Sequence, residues 1–339
     1  QYLLIAAFFL LPLTVLGNNI AIWLIVLLWL FSGNYSKKLE QIKGNKLALA
    51  SIIFFLVNII GLIWTEHLDW GLEILRKMLS FLLVLPIFLT VTRKENRKFY
   101  ISAFLIAIAI SEGFSYLIWF GIIEPFKYAT LENPTPLMSH ISYNPFLAFA
   151  LYIVINMLLS KSWISQFERI LYTFFALTMA FNMFITGGRA GQVMFFVALV
   201  ILAFQHFKDS QVKATLIALF SIVLISTTSY NFSNIFQDRV DSALDNIVHY
   251  HENKDTPVGQ RITFLLNSYE IFTKSPIIGV GTGDFPFEYI EVNSVNSPNQ
   301  IPTSQPHNMY MLILAQLGLI GIISLGYIFY CQFIIASRS

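Results

Sequence analysis

The chain predicts an all-α, polytopic integral membrane protein, and three observations carry that prediction. Hydrophobic residues make up 56% of the 339 and charged residues only 12%, with a mean hydropathy of +0.66. Apolar runs long enough to cross a bilayer recur along the chain. A single long polar stretch, residues 231–306, interrupts them before a final apolar run at 309–335. Such a composition excludes a soluble domain. The net charge of +2 gives no reason to expect a nucleic-acid partner, and the lone Cys331 rules out a disulfide framework or a cysteine metal site.

A hydrocarbon core of about 30 Å needs roughly 20 apolar residues per helix, fewer where flanking groups snorkel. Ten candidate spans follow, at residues 2–16, 19–32, 47–64, 75–92, 99–120, 141–160, 169–186, 190–206, 214–230 and 308–335. The first lacks a basic leader and a small-residue cleavage site, so it reads as a span and not as a signal peptide. Gln1 is not expected to be a native start, and up to twelve spans are expected of a longer native chain. The expected organisation is a transmembrane bundle over 1–230, an extramembrane loop over 231–306 and a last transmembrane helix over 307–339.

Basic residues set the orientation, because Lys and Arg stay on the cytoplasmic side. With the N-terminus inside, Lys37, Lys38, Lys43 and Lys46 share one cytoplasmic loop and Arg93, Lys94, Arg97 and Lys98 the next, with Lys161, Arg169, Lys208, Lys213 and Arg338 following on that side. Most acids, among them Asp238, Asp241, Asp245, Glu270, Asp284 and Glu288, fall on the other face. The long loop is therefore expected outside, where no nucleotide pool supplies an activated substrate.

Within the loop, residues 236–250 and 259–274 predict two amphipathic helices: Ile235, Val240, Leu244, Ile247 and Val248 recur at near-helical spacing in the first, and Ile262, Leu265, Leu266, Tyr269 and Phe272 in the second. Pro276 ends the second. Gly279-Val280-Gly281-Thr282-Gly283 lacks the spacing and the strand-turn-helix context of a phosphate-cradling loop, so it reads as a flexible turn. Residues 292–306, rich in Asn, Ser, Pro and Gln, read as loop.

Four titratable residues stand out. Arg189, in Thr186-Gly187-Gly188-Arg189-Ala190-Gly191, sits in a tight turn between two spans, where it is either a snorkelling anchor or an anion binder. Arg261, after Gln260, opens the second loop helix, where free N–H groups attract anions; a surface salt bridge is the alternative. His307, held between Pro306 and Asn308 at the edge of the last span, is either a helix cap or a proton acceptor. Glu112 is the sole acid within the predicted spans, and a buried carboxylate needs a partner, so pairing with an arginine is expected.

These residues carry a resemblance. The order Thr-Gly-Gly-Arg-Ala-Gly at 186–191, Gln260-Arg261-Ile262, Ser275-Pro276-Ile277-Ile278-Gly279-Val280-Gly281, then Pro306-His307-Asn308-Met309-Tyr310 and Gln316-Leu317-Gly318-Leu319-Ile320-Gly321 resembles the O-antigen ligase and polymerase superfamily over about residues 170–325. The resemblance implies a glycosyltransferase fold of the C type. It implies transfer of a glycan from undecaprenyl diphosphate to an acceptor hydroxyl, on lipid A core or a second lipid-linked glycan, at the periplasmic face of the bacterial inner membrane. Arg189 and Arg261 match the arginines that hold the diphosphate, and His307 the histidine near the acceptor. Gln260, Asn308 and Glu112 would be secondary or structural, a groove between spans would hold the donor's lipid tail, and membrane lipid would be a further partner.

The chemistry agrees with these roles. Breaking a sugar–diphosphate bond leaves charge on phosphate oxygens, which guanidinium forks bind bidentately. No Asp-x-Asp pair occurs in the loop, so no metal and no cofactor is expected. Direct attack would invert the anomeric centre. A ligase is favoured because one large loop precedes the last span; a polymerase shares the chemistry, and a transporter with a lid loop is the reading from outside enzymology.

Overall fold

The computed structural model describes residues 1–160, 165–250, 252 and 254–337, so the expectations resting on Lys161, Arg338 and the side chain of Ile235 lie outside the described residues. The described residues form helices α1 (Tyr2–Leu10), α2 (Val15–Phe31), α3 (Tyr35–Gly44), α4 (Lys46–Ile60), α5 (Leu68–Leu79), α6 (Leu85–Val91), α7 (Arg97–Trp119), α8 (His140–Leu159), α9 (Gln166–Ile185), α10 (Arg189–His206), α11 (Gln211–Phe232), α12 (Asn234–Val248), α13 (Pro257–Lys274), α14 (Phe285–Asn296) and α15 (Met309–Ser337). The protein is a polytopic helical membrane protein. Among the described residues, six helical stretches are long and apolar enough to cross a bilayer: Leu68–Val91, Lys94–Trp119, His140–Leu159, Arg189–His206, Gln211–Phe232 and Met309–Ser337. A seventh is reached if α2 and α3, bent by 120°, count as one broken span.

Several elements differ from expectation for local reasons. The run at 2–16 is not one helix: α1 ends at Leu10, and α2 starts at Val15 and runs through Gly17. Pro12 lies in the break, where its missing N–H removes a donor that the continuing helix would need. The lysine-rich segment after α2 is itself a helix, α3. The span predicted from 75 begins at Leu68, which brings Asp69 and Glu73 into it, so Glu112 is not the sole acid in a span; Glu73 pairs with Arg76 at 2.7 Å. A π-helical turn, Ser80–Val84, joins α5 to α6.

The chain divides into two compact units, residues 1–25 with 93–242 and residues 26–92 with 243–339. In the first, α8 is central, and Tyr143, Leu147, Leu151 and Val154 pack with Phe104, Ile108, Met179, Met183 and Phe195. On α11 the large side chains Val212, Leu216, Phe220 and Val223 are mostly exposed. That is the composition of a lipid-facing surface.

In the second unit the polar segment packs onto the last helix. Phe264 and Ile271 of α13, Phe285, Tyr289 and Val292 of α14, and Leu312 and Ala315 of α15 form one buried cluster. Helix α14 was not expected, since residues 292–296 read as loop. Its polar residues are interior partners instead: Asn267 Nδ2 donates to Tyr289 OH, Asn293 Oδ1 and Ser297 Oγ at 3.2–3.3 Å, and Asn293 Nδ2 donates to the carbonyl of Gln300 at 2.9 Å.

Candidate functional site

The glycine run expected to be a flexible turn is a buried clasp. Helix α15 breaks at Gly318, where φ is +60°. That break leaves backbone groups which must bond elsewhere, as a broken helix in a membrane requires. Val280 N–H donates to Ala315 O at 3.0 Å and Gly281 N–H to Gln316 O at 2.9 Å, while Leu319 N–H and Ile320 N–H donate to Pro276 O at 2.9 Å and Ile277 O at 3.2 Å. A Cβ on Gly279 would strike the backbone of Gln316, and one on Gly318 the backbone of Ile277. On the other side of the clasp, Thr65 Oγ1 donates to Thr282 O at 2.8 Å. The Asp284 carboxylate accepts from the N–H groups of Glu66 and His67 at 2.9 and 3.0 Å.

Upon this frame sit Arg261 and His307. Thr256 caps α13 through Gly259 N–H at 3.2 Å, and Pro257 occupies the first turn, where its missing N–H costs nothing. Arg261 is exposed, and among the described residues it ion-pairs with no acid, which removes the salt-bridge alternative. Gln260 is exposed beside it. His307 has φ +52°, and its ring stacks on that of Phe264 at 5.9 Å between centroids. Phe264 lies three residues beyond Arg261, one turn along the same helix, so α13 presents both the guanidinium and the ring that holds the imidazole. His307 is not the helix cap. That role belongs to Asn308, whose Oδ1 accepts from Tyr310 and Met311 N–H at 3.0 and 3.3 Å.

Arg189 belongs to the first unit, where it is the first residue of α10. The preceding turn is tied down from two sides. Thr186 Oγ1 donates to Asn144 Oδ1 at 2.8 Å, and Gly187 N–H donates to Asn133 Oδ1 at 2.9 Å. Side chains at Gly188 or Gly191 would collide with Asn144, so these glycines let α8 and the turn meet closely. Next to Gly187 stands a residue the sequence reading did not single out, Arg239 of α12. Asp238 and Asp241 lie close to it in the chain.

Glu112 does not pair with an arginine among the described residues. It is 4% exposed and its Oε1 has no hydrogen-bond partner. Hydroxyl and amide groups make the polar contacts nearby: Asn182 Nδ2 donates to Ser115 Oγ at 3.0 Å and Tyr143 OH to Asn182 Oδ1 at 3.0 Å. The same unit holds an apolar cavity of about 770 Å³, lined by Trp119, Phe181, Phe184, Ile185, Leu224 and Phe232 among others. One lining residue, Ile185, directly precedes Thr186 in the chain.

Residues 174–326 match the family described as O-antigen ligase, a segment that begins and ends within a few residues of the one from which the resemblance was read and that contains Arg189, Arg261 and His307. No curated protein matches the chain. The matched segment is less than half of the chain's length, and over it the chain is similar to the O-antigen ligase family.

Proposed function

We propose that this protein transfers a glycan from undecaprenyl diphosphate to a hydroxyl of lipid A core, at the periplasmic face of the bacterial inner membrane. The observation that carries the reading is that one family segment, 174–326, contains all three candidate residues. Supporting it are the acid-rich loop and the basic residues of the other face, which orient that loop outward.

The acceptor hydroxyl oxygen attacks the anomeric carbon as the bond from that carbon to the diphosphate oxygen breaks. His307 accepts the hydroxyl proton. Arg189 and Arg261 offer guanidinium N–H groups to the diphosphate, whose negative charge grows as it departs on its lipid. A single displacement inverts the anomeric centre. The apolar cavity lined by Ile185, Phe181 and Phe184 is of a kind that takes part of an isoprenoid tail. Ten spans, with the C-type glycosyltransferase arrangement, remain part of this proposal.

The test is a transfer assay with purified protein and an undecaprenyl-diphosphate-linked glycan, offering lipid A core and a second lipid-linked repeat unit separately. Product on lipid A core alone supports a ligase. A ladder of longer lipid-linked chains makes the protein a polymerase. No product from folded, lipid-loaded protein overturns glycosyl transfer and favours a transporter.

A further inference from the structure

We propose that Arg239 is a further anion-binding residue, whose guanidinium contacts the diphosphate of the lipid-linked donor beside the turn that carries Arg189. The proposal rests on the reading that the donor is a lipid diphosphate, and it adds a residue that neither the motifs nor the resemblance marks.

The placement of Arg239 is built and not incidental. Helix α12 starts against the end of α9: Ser233 Oγ donates to Phe184 O at 2.8 Å, and the buried Phe236 ring meets Phe184 edge-on at 5.3 Å. Arg239 follows Phe236 by three residues, one turn on the same face. Its Nη2 therefore comes to 3.4 Å from the point where a Cβ on Gly187 would stand. The Gly187 N–H is already used by Asn133 Oδ1, and any side chain at 187 would lie 2.6 Å from that oxygen. Glycine at 187 thus keeps open the space between the turn and the guanidinium.

Charge then decides what belongs there. Arg239 is half-buried and, among the described residues, has no ion pair or hydrogen bond. Of the adjacent acids, Asp241 accepts a hydrogen bond from Tyr230 OH at 2.8 Å and Asp238 is exposed. His140, at the start of α8, lies within electrostatic reach of Arg239. Arg189 opens α10 on the other side of the glycines, where backbone N–H groups and the helix dipole favour an anion. Thr135, 1% exposed and two residues from Asn133, holds an Oγ1 without a partner. A planar fork with five N–H donors suits paired phosphates.

The experiment uses the whole chain in phosphatidylcholine nanodiscs and measures retention of undecaprenyl diphosphate and of undecaprenol, the same tail without phosphate, by wild type, Arg239→Ala and Arg239→Lys. Losing a charge-assisted bond of about 1.5–3 kcal/mol corresponds to a loss of roughly tenfold or more. Arg239→Ala is expected to weaken diphosphate binding by that factor with undecaprenol unaffected, and Arg239→Lys, which keeps the charge without the fork, to lose less. Undiminished diphosphate binding by Arg239→Ala overturns the proposal. So does equal loss of both lipids with a lowered melting temperature in both variants, which makes Arg239 structural. In discs of phosphatidylglycerol without undecaprenyl lipid, loss of headgroup retention alone would make Arg239 a membrane anchor and overturn it too. Wild type that does not prefer the diphosphate to undecaprenol defeats the donor reading itself, a failure distinct from that of the variant.

Discussion

The imidazole of His307 lies over the ring of Phe264, 5.9 Å between centroids and with the planes 29° apart. Phe264 is only 8% exposed and belongs to the cluster that joins α13, α14 and α15. Packing in the second unit thereby reaches an exposed residue whose backbone is held at a positive φ. Replacing Phe264 by Leu keeps an apolar side chain of similar bulk and removes the stack, a contact of about 0.5–1.5 kcal/mol. We expect kcat of the transfer reaction to fall about 2- to 10-fold with KM little changed. Steady-state kinetics with the protein's fold checked by thermal melting decides the point; an unchanged kcat removes Phe264 from any role in placing His307.

His307→Ala tests the base itself. A positioned acid or base contributes about 10²–10⁴ to rate, so transfer should drop by that order while donor binding persists. A variant that transfers at the wild-type rate sinks the role.

Arg189→Ala and Arg261→Ala should each lower kcat/KM by about tenfold or more, from loss of a charge-assisted contact to phosphate. The measurement is the in vitro transfer assay on folded variants. Either variant acting at the wild-type rate takes that arginine out of the site.

Gly279→Ala should destabilise the second unit. A left-handed backbone costs a non-glycine residue about 1–2 kcal/mol, and the added Cβ would also meet the Gln316 backbone. Melting temperature in detergent reports it, with Gly44→Ala as control, since a Cβ there has nothing within 4 Å. Equal melting of the two variants would show that the clasp tolerates a side chain.

Asp284→Ala should be destabilising by about 2–3 kcal/mol, because two backbone N–H groups and the His67 ring lose a shared charged acceptor. Asp284→Asn, which keeps a carbonyl oxygen, should lose less. Chemical denaturation in detergent measures both, and equal stability of all three proteins would contradict the assignment.

Transfer to lipid appears in composition and period alone, so the sequence by itself determined that the chain is helical and crosses a membrane repeatedly. The near-helical spacing at 236–250 and 259–274 likewise foretold α12 and α13, and the order of short motifs foretold the family segment. What only the tertiary structure decided depends on partners far away in the chain. Gly279–Gly283 reads as a turn until the break at Gly318 supplies the carbonyls and N–H groups that bind it. Asn293 reads as loop until Asn267 is brought to it. Arg239 is one unmarked charge on an amphipathic helix until Phe236 packs against Phe184 and brings it toward Gly187. Glu112 invited an arginine on the rule that buried charge is paired, and among the described residues no arginine pairs with it; Ser115, one turn along α7, bonds Asn182, which in turn accepts from Tyr143. Period and composition report what a residue does with its solvent; which side chains meet is set by long-range packing and hydrogen bonding, which no local window contains.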